Sequence, residues 1–163
     1  MADFEPAVMK TIAREGGARY TETAGDAGGA TKYGISKRAY PQLDIANITE
    51  PQAKDIYRAD YWNAVRGDEI ASQAVAENLF DTAVNMGVSR AVKLAQLALG
   101  LKPVDGQLAA ETFAAINAAD PDRFLADYTL AKVARYVSLC NNNRAQGKFL
   151  LGWLNRAMGG MTA

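Results

Sequence analysis

Residues 4–17 read FEPAVMKTIAREGG, and residues 18–35 read ARYTETAGDAGGATKYGI. The first stretch has the period of a helix. At about 100° per residue, Phe4, Val8 and Ile12 fall on one stripe, and Glu15 lies inside it. Asp3 is placed to cap the helix, Pro6 is tolerated in its first turn, and Gly16-Gly17 ends it. The second stretch has no helical period and is rich in Gly and Thr, so it is expected to hold a short hairpin or an ordered loop. A carboxylate on the apolar side of a helix end is costly unless something requires it there.

Outward from this junction the pattern is helical almost throughout. Ser36 is expected to cap a short helix that stops at Pro41. Thr49-Glu50-Pro51-Gln52 is a capping box with Pro in the first turn. Its helix carries Ala53, Ile56, Tyr57, Tyr61 and Ala64 on one side and ends near Gly67. AVAENLFDTAVNMG, apolar on most faces, reads as the central buried helix. Ser89 caps the next helix, which stops at Gly100; Pro103 to Gly106 is a turn, and a short helix covers roughly 109–118. Asp120-Pro121 opens a long helix to about Leu139, NNNRAQG breaks it, and KFLLGWLNRAM is the last, pairing Phe149 with Trp153. The expected fold is mainly α: a helical bundle, one domain over 1–163, with a small β-hairpin or ordered loop near 18–35. A soft division falls near Gly87, between parts 1–88 and 89–163.

Composition removes whole classes of chemistry. Lys plus Arg and Asp plus Glu are both 18, so there is no general pull toward nucleic acid or an anionic membrane. The absence of histidine excludes Ser-His-Asp and Cys-His catalysis, HExxH proteases and histidine-rich zinc sites. The single cysteine, Cys140, lies in an apolar run and reads as a buried structural thiol. No metal or cofactor site is expected. The acidic start MADFEPAVMK is not a secretory signal, and no run reaches the roughly 20 apolar residues of a membrane span. The glycines of GDAGGATK lack both the G-x-x-x-x-G-K-[ST] and the G-x-G-x-x-G spacings of nucleotide loops.

What remains is carboxylate chemistry. Burial favours the neutral form of a carboxyl group and makes it a proton donor. A second acid, Asp26, sits on the Gly-rich segment with Thr31 and Tyr33. Two carboxyl groups facing each other across a cleft are what glycosidic bond cleavage requires. Taken singly, Glu15 also reads as a solvated helix-terminal acid and Asp26 as a turn residue. A negative charge at a helix C-terminus opposes the helix dipole, which disfavours the first of these.

EGG, DAGGATKYGI, YRADYW and NLFDTAVNMG together resemble the glycoside hydrolase 108 family of lysozyme-type muramidases, common as phage endolysins. LGLKPVDGQLAAETF through GKFLLGWLNR resembles the predicted peptidoglycan-binding region that accompanies them. The resemblance implies a lysozyme-like fold and hydrolysis of the β-1,4 bond between N-acetylmuramic acid and N-acetylglucosamine. Glu15 would protonate the glycosidic oxygen, Asp26 would hold or activate a water, and Thr31 would orient it. The step of 11 residues from Glu15 to Asp26 is longer than in the related phage lysozymes of the T4 type. Tyr33, Trp62 and Asn85 are the candidate sugar contacts, each with a packing or capping alternative.

The implied partner is bacterial peptidoglycan, met by a monomer with no stable membrane anchor and no nucleic acid. Arg123, Lys132, Arg135, Arg144, Lys148 and Arg156 against Asp127 suggest one basic side suited to an anionic polymer or lipid surface. The expected course is accumulation in the host cytoplasm and lysis after the membrane is permeabilised. Two other readings stay open. A lytic transglycosylase would use Glu15 alone and leave an anhydro sugar. A non-catalytic wall-binding or phage structural protein would need neither acid.

Overall fold

A computed structural model gives the fold and describes residues 1–22 and 29–159. Among these are seven α-helices and one two-stranded hairpin. Helix α1, Phe4–Arg14, is capped by Asp3, whose carboxylate accepts from the amide of Glu5, and Glu15 is its C-terminal cap. The hairpin follows, with β1 at Thr31–Lys32 and β2 at Ile35–Ser36, antiparallel, Thr31 opposite Ser36. Thr31 also pairs backbone to backbone with Thr21, so the loop leaving α1 is stitched to the hairpin.

Ser36 does not cap a helix. It lies in β2, its hydroxyl accepts from the amide of Ala39, and turns lead on to Thr49. With Pro41 five residues on, the segment is too short to nucleate a helix. Helix α2, Glu50–Tyr57, has the expected capping box between Thr49 and Gln52. Its continuation departs from the expected period. Residues Arg58–Trp62 form a π-turn, in which the amide of Asn63 donates to the carbonyl of Arg58 at 2.9 Å. The wider turn adds one residue, so the buried stripe runs Ala53, Tyr57, Trp62, Val65 instead of passing through Tyr61 and Ala64.

Helix α3, Gln73–Met86, is the central helix, capped by Ser72 and buried along several faces. Helix α4, Val88–Ala98, begins one residue before Ser89, with Gly87 in the cap position. Helices α5, Ala110–Ala118, and α6, Pro121–Asn142, fall where expected, α6 running three residues past Leu139. A tight 3₁₀ segment, Arg144–Phe149, leads into α7, Leu150–Met158, which packs back on α6.

One apolar cluster runs from Ala2 to Tyr128. Its centre is aromatic: Trp62 lies 5.5 Å from both Phe4 and Phe80, edge-on to the latter. Cys140 is only partly buried. No helix among the described residues is long and apolar enough to cross a membrane.

Candidate functional site

Glu15 stands where α1 ends, and the hairpin turn is laid directly over it. The amide of Tyr33 donates to the carbonyl of Gly17 at 2.9 Å, which ties the turn to the Gly-Gly bend. Tyr33 itself has φ 53°, in the left-handed region. Gly34 follows at φ 77°, and a Cβ built on it would stand 2.7 Å from Glu15 Cβ and clash with the Tyr57 hydroxyl. Only glycine allows this approach. The Tyr57 hydroxyl donates to the carbonyl of Tyr33 at 3.0 Å, which locks α2 to the same turn. Burial, and then the charge of Glu15, push the Tyr57 hydroxyl above the ordinary tyrosine range, so it remains a donor. Tyr61 is shifted the same way by burial, with Asp60 and Glu15 adding to it.

The apolar enclosure expected around Glu15 is not there. Its side chain is 28% exposed and its Oε1 is 2.8 Å from Nη1 of Arg156, on α7. The same guanidinium grips Asp81 of α3 with two further bonds, Nε to Oδ2 at 3.1 Å and Nη2 to Oδ1 at 3.0 Å. Nη1 of Arg14 also reaches Oδ1 of Asp81, at 3.1 Å. Beneath them Lys132 is buried, its ammonium 2.6 Å from Oδ1 of Asn78. Burial pushes Lys132 down to about 8, the charge of Asp81 opposing and those of Arg14 and Arg156 reinforcing.

The expected site residues fall into three groups. The hairpin that carries Thr31 and Tyr33 is tied to the Gly-Gly bend after Glu15 by the bond from the Tyr33 amide to the Gly17 carbonyl, and its Gly34 lies against Glu15. Asp26 lies outside the described residues. Trp62 is 0% exposed, with Phe4 and Phe80 against its ring and its indole N–H donating to Asp68 at 2.8 Å. It has no free face for a sugar, because the π-turn carries it into the core.

Asn85 is exposed and accepts from the Tyr136 hydroxyl at 3.3 Å. It borders a hollow of about 270 Å³ with Met86, Arg90, Arg135, Tyr136 and Trp153. It also lines a narrow polar gap with Asp81, Lys132 and Arg156. Trp153, stacked on Tyr136 at 5.1 Å, is the partly open tryptophan of the pair. A larger, apolar hollow of about 700 Å³ lies between α4 and α6; its single acid, Asp127, is paired with Arg123, so it offers no carboxylate pair.

The basic side expected over 123–156 is broken up. Arg123 is paired with Asp127, Lys132 is buried, and Arg156 is turned inward. Sequence reasoning also missed Gly34, Tyr57, Asp81 and Arg156. Gly34 had a local signal, as the glycine after Tyr33 in a turn. Asp81, on the buried face of the central helix, is the kind of acid that requires a cation, but nothing in the sequence says which one.

The family model for glycosyl hydrolase 108 matches residues 8–87, and the model for a predicted peptidoglycan domain matches residues 90–158. No curated protein sequence matches the chain significantly. Among solved structures, that of Brucella abortus SagA is 30% identical, with a TM-score of 0.72, covering 96% of this chain and 94% of that one. The two family matches together support degradation of peptidoglycan. The chain belongs to the glycosyl hydrolase 108 family and is a glycoside hydrolase of the lysozyme type.

Proposed function

We propose that the enzyme hydrolyses the β-1,4 bond between N-acetylmuramic acid and N-acetylglucosamine, with Glu15 as general acid, and that this leads to lysis once the enzyme reaches the wall. The observation that carries this reading is the position of Glu15. It stands partly open at the end of α1, against the turn of the hairpin that carries Thr31 and Tyr33. In the reaction, the proton of Glu15 passes to the glycosidic oxygen as the bond from that oxygen to the muramic acid C1 breaks. A water adds to C1 and gives up its proton to a base, for which Asp26 is the candidate, with the Thr31 hydroxyl orienting the water. Asn85 and the partly open face of Trp153 supply contacts for the N-acetyl groups and sugar rings.

Glu15→Gln tests the assignment. It keeps the shape of the site, and since general acid catalysis contributes about 10²–10⁴-fold, lytic activity on purified peptidoglycan should fall by that order. Activity within about tenfold of wild type would remove Glu15 from the mechanism. Mass analysis of the released muropeptides should show reducing N-acetylmuramic ends; 1,6-anhydro ends as the main product would make the enzyme a transglycosylase.

A further inference from the structure

We propose that Arg156, aimed by Asp81, is a positioning residue for Glu15, so that the segment matched as a peptidoglycan domain completes the catalytic site. This rests on the reading of Glu15 as the acid. The two family matches divide the chain at residues 87 and 90, which suggests a catalytic part and an appended wall-binding part. The side chains cross that division. Glu15 and Asp81 lie in the first segment and Arg156 in the second, and one guanidinium holds both acids.

The geometry fits orientation better than simple charge balance. A guanidinium has five donors in a rigid plane. Nε and Nη2 of Arg156 engage the two oxygens of Asp81 as a fork, which fixes the plane and leaves Nη1 directed at Glu15. Asp81 is held in turn by Arg14 from α1, the same helix that ends in Glu15, so the helix end, the central helix and α7 form one closed circuit. Burial works to lower the Arg156 pKa, but pairing with Asp81 and Glu15 outweighs it and the net shift is upward, so the guanidinium stays charged. Once Glu15 has given its proton to the leaving oxygen, Arg156 stands against the carboxylate that remains. A lysine could supply the charge but not the fork.

The test is kinetic, on the full chain with purified peptidoglycan. Arg156→Met should lower kcat about 10²-fold, the cost of a misplaced catalytic group, with KM within about threefold. Asp81→Asn should also lower kcat, and the double variant should fall little below Arg156→Met alone, since the two act as one unit. Arg156→Lys retains the charge and is the variant to use should the methionine form not fold. It should lose about tenfold in kcat with KM near wild type. Wild-type kcat in a folded Arg156→Met, or in Arg156→Lys, would reduce the circuit to a fold-stabilising ion pair while Glu15→Gln remained inactive. An active Glu15→Gln would overturn both the acid and its positioning.

Discussion

A Cβ on Gly34 would stand 2.7 Å from the Cβ of Glu15, so the hairpin turn rests on the candidate acid with no room for a side chain between them. The acid and the hairpin are therefore set by one contact. Gly34→Ala should break it twice over, through steric overlap and through a left-handed φ that costs an alanine about 1–2 kcal/mol. The expected outcome is a lowered Tm and a loss of lytic activity larger than the loss of folded protein. Unchanged activity per folded molecule would show that the hairpin does not depend on this approach.

The hydroxyl of Tyr57 offers a milder version of the same question. Tyr57→Phe removes one hydrogen bond to the carbonyl of Tyr33, worth about 1 kcal/mol, and leaves the core ring in place. Denaturant unfolding should show that loss with an unchanged m-value. Activity should fall modestly, far less than in Glu15→Gln.

Trp62 and Trp153 should separate cleanly. Trp62→Ala empties the centre of the aromatic core and should cost about 3–5 kcal/mol, too much for the fold to tolerate well; Trp62→Phe should fold and leave KM near wild type. Trp153→Ala removes the open ring beside Asn85 and should raise KM for peptidoglycan with little change in kcat. A raised KM in Trp62→Phe with none in Trp153→Ala would reverse the assignment.

Lys132 gives the fold a pH signature. Its folded value is pushed down to about 8 from 10.5, by burial first. Between those values the unfolded chain holds the proton and the folded chain does not, so stability rises with pH. From pH 8 toward 10 the wild type should gain relative to Lys132→Met, by up to about 3 kcal/mol over the whole window. The comparison with Lys132→Met cancels the buried tyrosines, which titrate higher. Parallel stability curves for the two proteins would mean that Lys132 is charged in the folded state across this range.

Local signals survived folding where a single residue or a short period carried them. Asp3, Thr49 and Asp120 each cap the helix that follows, since a cap needs only its own side chain and an amide two or three residues on. The stripe Phe4, Val8, Ile12 is buried, and the Gly-Gly bend after Glu15 ends the helix on schedule. The candidate acid and the hairpin were therefore legible from the sequence. Where a period was wrong by one residue the reading failed. The π-turn at Arg58–Trp62, which packs on α3, moved Trp62 from a candidate sugar platform to the centre of the core. Long-range pairing was out of reach altogether. Residues 15, 81 and 156 lie too far apart for any local rule, and only the packing of α7 against α6 brings one guanidinium between two acids. The chemistry was written in residue types, but the tertiary structure chose the ion partner of Glu15, because buried charges are matched by the three-dimensional packing that surrounds them.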